Sequence, residues 1–195
     1  MNDALVIGPF STSWLELISF MLSVLTVWLN IRQLHWAWLF SIVSSLMYGV
    51  VFYQSALYGD MALQAVFVAV SVQGWIWWLR GIEQRALPVT ALTQRGQLAV
   101  FASWGVSFVA IAAALRIYTD SDVPYSDAFL TAGSLVGQYL LAKKRIENWL
   151  IWIAVDVLYV GLYLYKGLQL TAVLYGIFVL MAVQGWKRWK QDLQN

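Results

Sequence analysis

Long apolar runs, broken by brief polar links, dominate the chain from end to end. Seven blocks can be read, at 14–30, 36–53, 61–79, 98–115, 128–142, 149–165 and 170–186. A helix needs about 20 apolar residues to cross a bilayer, so the pattern predicts an all-α integral membrane protein with seven transmembrane helices. Only the links 80–97 and 116–127 are long, and short links make neighbouring helices antiparallel. One compact bundle over 1–195 follows, a single membrane domain with no separate soluble part. Pro9, Pro88 and Pro124 all fall outside the blocks, so no helix is expected to carry a proline kink.

The blocks also repeat. Shifting the chain by 111 residues lays 38–79 on 149–190 without a gap. Trp38 meets Trp149, Leu39 meets Leu150, Ile42 meets Ile153, Tyr48 meets Tyr159, Leu57 meets Leu168, and Phe67 and Val68 meet Phe178 and Val179. The tetrapeptide VQGW recurs at 72–75 and 183–186, and Trp78 meets Trp189. Twelve matches in one register exceed what a tryptophan-rich membrane chain offers by chance. The shift sets blocks 1–3 on blocks 5–7 and leaves block 4 unpaired. With three spans per unit, an odd linker span lets both units insert in the same direction. The expected architecture is therefore a 3+1+3 parallel internal repeat: unit 1 over about 14–79, a linker helix over about 98–115, and unit 2 over about 128–190. Transporters built this way hold substrate between the halves near the midplane.

Composition agrees with the pattern. Hydrophobic residues make up 61% of the chain and charged ones 11%, against about 25% charged in a soluble domain; the mean hydropathy is +0.68. The net charge of +2 is small, but its distribution is informative. Antiparallel spans put Arg32, Arg80, Arg85, Arg95, Lys143, Lys144, Arg145, Lys187, Arg188 and Lys190 on one side, and only Arg116 and Lys166 on the other. Basic loops stay cytoplasmic, so the C-terminus is expected in the cytoplasm and the N-terminus outside. The N-terminal segment lacks the basic region of a signal peptide, so the first block is expected to be a retained span. With no cysteine, disulfides and thiolate chemistry are excluded.

The chemistry concentrates in block 6. Positions 149, 152, 156, 159 and 163 share a helical face and read Trp, Trp, Asp, Tyr, Tyr. The matching face in unit 1 (38, 41, 45, 48, 52) reads Trp, Ser, Ser, Tyr, Phe. If the halves face each other, aromatics and one acid oppose a space left by serines, which suits an asymmetric ligand. Asp156 lies about 10 Å below the start of its span at 1.5 Å per residue, near the midplane. An ionisable residue there costs roughly 2.5–3.5 kcal/mol and by default faces a cavity or the bundle interior; the alternative is packing glue between helices. Aromatic planes beside a carboxylate suit a flat, partly cationic ring. Trp149 fits either that role or an interfacial belt, and Trp36, Trp38, Trp78, Trp186 and Trp189 are expected in the belt. Gln64 breaks the repeat, with Tyr175 at the matching place, as a ligand contact would. Asn30, Gln73, Gln138 and Gln184 are the other amides in the spans, and structural or interfacial roles are expected for Gln73 and Gln184. Gly133 and Gly137 form a GxxxG that indicates close helix packing. His35, the single histidine, is expected to be solvated in a loop.

No paired carboxylates, histidine cluster or phosphate-binding glycine loop is present in the sequence, and block 7 has no internal lysine for a retinal Schiff base. The chain is therefore not expected to be an enzyme, and no cofactor, metal or nucleic-acid partner is expected.

The WxxWxxxD of Trp149, Trp152 and Asp156 resembles the WxxWxxxN of the PnuC family of bacterial vitamin transporters. LYGDMALQAVF (57–67) is similar to that family's LYxxxxLQxxF, and GWIWW (74–78) to its GWxxW. The resemblance spans essentially the whole chain. It implies a fold similar to that of the sweet-type sugar transporters, although the prolines those proteins carry within spans are absent here. It further implies a facilitator for nicotinamide riboside in the bacterial inner membrane, with a cytoplasmic kinase trapping the vitamin; a homo-oligomer is compatible with it. Trp149, Trp152, Asp156 and Gln64 would contact substrate, with Tyr159 nearby. Asp156 in place of Asn keeps a second cationic vitamin, thiamine, open as the substrate, and leaves open proton coupling. A non-transporting membrane receptor or scaffold is the alternative of another class.

Overall fold

A computed structural model describes residues 4–7, 10–81, 86–119 and 121–194; Pro9 and Arg85 lie outside the described residues. Among the described residues the chain forms seven helices: α1 (Trp14–Ile31), α2 (Ala37–Gln54), α3 (Tyr58–Arg80), α4 (Gln94–Tyr118), α5 (Pro124–Ala142), α6 (Asn148–Tyr165) and α7 (Gln169–Gln194). Ahead of them stands a hairpin of β1 (Ala4–Ile7) and β2 (Phe10–Ser13), antiparallel with Ala4 opposite Ser13. Four residues per strand are too few to show a period of two, and the sequence pattern did not predict it.

Helices α2, α3, α4, α6 and α7 are each long and apolar enough to cross a membrane. Helix α5 is less apolar because twelve of its 19 residues are buried; Asp127, Thr131, Gly133, Ser134, Gly137 and Gln138 face protein rather than lipid. Pro124 opens α5, where the missing N–H would have had no partner. Thr93 caps α4 by accepting a hydrogen bond from the Gly96 N–H at 3.2 Å.

Each helix packs on its neighbour in chain order except at α4. Helix α3 packs on α5 and α7 returns to α1, so six helices close a ring. Helix α4 lies outside it, mainly against α5, where the Trp104 indole donates to the Phe129 carbonyl at 3.0 Å and lies against Gly133.

Three features recur at an offset of 111 residues. Helix α2 begins at 37 and α6 at 148, and they end at 54 and 165. Positive φ follows the helix ends at Gln33 and Lys144, and at Ala56 and Gly167, where a left-handed residue lets the chain reverse. Trp38 lies over Gly74, as Trp149 lies over Gly185, so that a Cβ on either glycine would meet indole carbons at 2.6–2.7 Å. Trp38 then meets Trp78 edge-on at 5.1 Å, and Trp149 meets Trp189 in the same way at 5.3 Å.

The two units also cross-bond. Trp78 donates to the Ala142 carbonyl at 3.1 Å, and Trp189 to the Ile31 carbonyl at 3.3 Å. Both carbonyls end helices and lack an intrahelical partner, so each unit satisfies the frayed end of the other. Some equivalent residues touch each other: Phe52 stacks on Tyr163 at 5.7 Å, and Lys144 Nζ donates to Gln33 Oε1 at 3.0 Å. A residue can meet its own equivalent only on a twofold axis. That axis runs between Phe52 and Tyr163 at one end and Gln33 and Lys144 at the other.

Trp38, Trp78 and Trp189 were expected in the interfacial belt, and the structure corrects this. All three are buried: Trp38 fits over Gly74, and Trp78 and Trp189 pack edge-on against Trp38 and Trp149 while donating to backbone carbonyls inside the bundle. Trp36 is half exposed. His35 is not free in a loop either: its Nδ1 accepts from the Trp75 indole at 3.3 Å.

Two tests follow. Gly74→Ala and Gly185→Ala should each destabilise the detergent-solubilised protein by about 1–3 kcal/mol, the usual cost of overpacking. Gly176→Ala, with nothing within 4 Å of the added Cβ, should leave thermal unfolding unchanged. Separately, burial lowers the Lys144 ammonium to about 8. Between that value and the free-lysine value near 10.5, the unfolded chain holds a proton that the folded one has lost, so this group makes stability rise with pH across the window. Lys144→Gln should flatten that part of a thermal-melt pH series.

Candidate substrate site

Between the two axis contacts lies a cavity lined from all six ring helices. Its two walls differ. From unit 1 come Ser23, Thr26, Asn30, Ser41, Ser44, Ser45 and Gln64, with Tyr48, Phe52 and Phe67. From unit 2 come Trp149, Trp152, Asp156, Tyr175 and Phe178, with Gln138 and apolar residues. Positions 41 and 45 match 152 and 156 under the offset, so small hydroxyls on one side stand where an indole and an acid stand on the other.

Asp156 is 2% exposed, and its Oδ1 has no hydrogen-bond partner. A buried carboxyl oxygen without a partner is costly, and this one borders the cavity. Trp152 is partly exposed there and meets Phe67 edge-on at 6.1 Å; Gly137 gives its indole room on the other side. Asn30 Oδ1 and the Trp149 indole N–H also have no partner. The serine wall is tied together more closely: Ser41 and Ser71 hydroxyls lie 3.0 Å apart, and Gln138 donates to Ser71 at 3.5 Å.

Of the residues singled out from the sequence, Trp149, Trp152, Asp156 and Gln64 line this cavity. Trp149 does so with only its edge, since its ring lies over Gly185. Tyr159 is not in the lining. Its hydroxyl donates to Asp60 at 2.8 Å, and its ring packs on Tyr163 and Tyr175 behind the wall. Asn30 and Thr26 carried no sequence signal as site residues, because α1 lies outside the segment in which the repeat is legible. Tyr175 and Phe178 were visible only as the repeat partners of Gln64 and Phe67. The geometry is that of an aromatic slot with an unpartnered carboxyl oxygen on one side, closed by a hydroxyl-rich wall.

A sequence model of the nicotinamide mononucleotide transporter family matches residues 13–191. The chain belongs to that family. It is 29% identical to the riboflavin/roseoflavin transporter RibM of Streptomyces davaonensis, over 96% of this chain and 90% of the relative. It is 23% identical to the nicotinamide riboside transporter PnuC of Escherichia coli, over 93% of this chain and 87% of the relative. The crystal structure of the vitamin B3 transporter PnuC superposes with a TM-score of 0.82 at 24% identity, covering 93% of this chain and 82% of that one. The chain is thus a PnuC-like vitamin transporter and a multi-pass membrane protein, not an enzyme.

Trp152→Ala should weaken vitamin binding by about 5- to 150-fold, the range of losing one ring-on-ring stack worth about 1–3 kcal/mol. Tyr159→Phe should leave binding within about twofold while lowering thermal stability by about 1 kcal/mol, because it removes one hydrogen bond to Asp60 outside the cavity. Isothermal titration and thermal melts of the same preparations separate the two effects.

Proposed function

We propose that the chain is a facilitator carrying nicotinamide riboside across the bacterial inner membrane. The observation that carries this reading is the unpartnered Asp156 oxygen in the aromatic wall. A pyridinium ring stacked on Trp152 sets its positive charge near that oxygen, and cations are favoured over aromatic faces. The ribose hydroxyls then face the serines, Gln64 and Asn30. The two three-helix units, 14–79 and 128–190, rock about the axis through the cavity while α4 serves as the linker. The recurrence of helix ends, tryptophan seats and crossed hydrogen bonds at one offset supports this division. Basic residues at the ends of α1, α3, α5 and α7 support a cytoplasmic C-terminus and an outside N-terminus. Flux runs down the gradient, and a cytoplasmic kinase that phosphorylates the vitamin keeps it inside; that step rests on the resemblance to the family.

Riboflavin is the second reading. It is favoured by the Streptomyces relative, a riboflavin/roseoflavin transporter that matches nearly the full chain. Its ring is uncharged, so it would use the slot without drawing on the negative charge of Asp156. Thiamine, a cation, fits the charge argument as nicotinamide riboside does.

Proteoliposomes holding the purified chain, offered labelled nicotinamide riboside, thiamine or riboflavin in turn, test the reading. Saturable uptake of nicotinamide riboside that persists without any ion gradient is expected. Uptake of riboflavin alone would move the assignment to the second reading, and flux of none of the three would favour a receptor or scaffold.

A further inference from the structure

At the end of the bundle opposite the basic residues, two buried acids meet across the unit boundary. Asp60 opens α3 of the first unit and is 1% exposed; Asp127 opens α5 of the second and is 0% exposed. The Asp127 carboxylate lies against Gly59, the residue before Asp60, so closely that a Cβ there would come within 2.6 Å of it. Tyr159 and Tyr163 of α6 both donate to Asp60, at 2.8 and 3.5 Å. Thr131 donates to Asp127 Oδ1 at 3.1 Å, while Oδ2 of the same group has no partner and is fully buried. Tyr163 also stacks across the axis on Phe52, which lines the cavity.

Packing alone does not call for this pair. Under the 111-residue offset Asp60 corresponds to Thr171 in the sequence, so the repeat does not carry the acid.

We propose that Asp60 and Asp127 are a proton-operated latch on the roof of the cavity. Two carboxylates in one buried site cannot both be ionised at low cost, so the closed roof holds one proton between them. With that proton the repulsion between Asp60 and Asp127 is relieved and Tyr163 stays seated on Phe52. Loss of the proton leaves two like charges facing each other, which drives α3 from α5 and α6 and opens the cavity on that side. The other ionisable groups facing the pair are Tyr175 of α7, which packs on both tyrosines, and Lys166 after α6, which is held by Asp122 before α5. The tyrosines remain neutral between pH 5 and 8 and Lys166 is engaged by Asp122, so the acid pair is the element that titrates. The inference rests on the chain being a transporter and is independent of which vitamin it carries.

The natural chain has no cysteine, so a single thiol can report on the roof without any substrate. Ser45→Cys places a thiol in the cavity and Ser126→Cys places one on the exposed start of α5. Both are labelled with a membrane-impermeant maleimide applied from the N-terminal side. The ratio of the two rates cancels the pH dependence of the thiol itself. It is expected to rise from pH 5 to pH 8 by up to about tenfold per unit, the limit for one linked proton, and to become flat in Asp60→Asn and in Asp127→Asn. Asp127→Glu should keep the slope. A flat ratio in the otherwise unaltered chain overturns the latch even if the asparagine variants fail to assemble, and so does an unchanged slope in both of those variants.

Discussion

Two indoles, each laid on a glycine of the next helix, fix the distance at which everything else in the bundle is set. In lipid there is little gain from moving apolar surface from one oily neighbour to another, so helices are held by close packing and by hydrogen bonds between them. Trp38 on Gly74 and Trp149 on Gly185 supply the first; the crossed bonds of Trp78 and Trp189 to the last carbonyls of α5 and α1 supply the second. Both sets lie toward the basic end of the bundle. Beyond them the helices are spaced by Phe52 and Tyr163 meeting on the axis, and the gap between the two contacts is the cavity.

Since the same scaffold is used twice, the differences between the units carry the chemistry. Small hydroxyls at 41 and 45 leave room, and the indole and acid at 152 and 156 occupy the facing wall. A symmetric cavity would suit a symmetric ligand; this one sets aromatic faces on one side against hydroxyls and amides on the other. Buried polar atoms without partners on Asp156, Asn30 and Trp149 border this cavity. In a bilayer, where no water reaches the wall from outside, such atoms are tolerated when a ligand or the water that it displaces answers them.

The helices were legible because a bilayer imposes a simple rule, a sustained apolar run, and seven such runs correspond to the seven helices described. The expected unit boundaries rested on 12 residue matches, and helix ends and left-handed residues fall at the same offset in the structure. The site was legible in unit 2, where a charged residue among apolar ones stands out, and in Gln64, where the repeat breaks. It was not legible in α1, since Asn30 and Thr26 look like any amide or hydroxyl at a helix end until α7 is packed beside them. Tryptophan misled most. Its presence near a span end reads as an interfacial belt, and only partners distant in sequence reveal that Trp38, Trp78 and Trp189 are interior: Gly74 under the first and backbone carbonyls for the other two. Asp60 and Asp127 were equally hidden, as acids at helix starts that look solvated until their helices meet.

The central claim is that Asp156 uses its charge, and not merely its shape, to select a cationic ring. The direct measurement compares binding of nicotinamide riboside with binding of its reduced, uncharged dihydropyridine form, in the natural chain and in Asp156→Asn. The natural chain should prefer the cation by about tenfold or more, equivalent to about 1.4 kcal/mol, and the variant should bind the two forms within about twofold. Equal preference in both proteins would contradict the account and leave Asp156 as a structural residue.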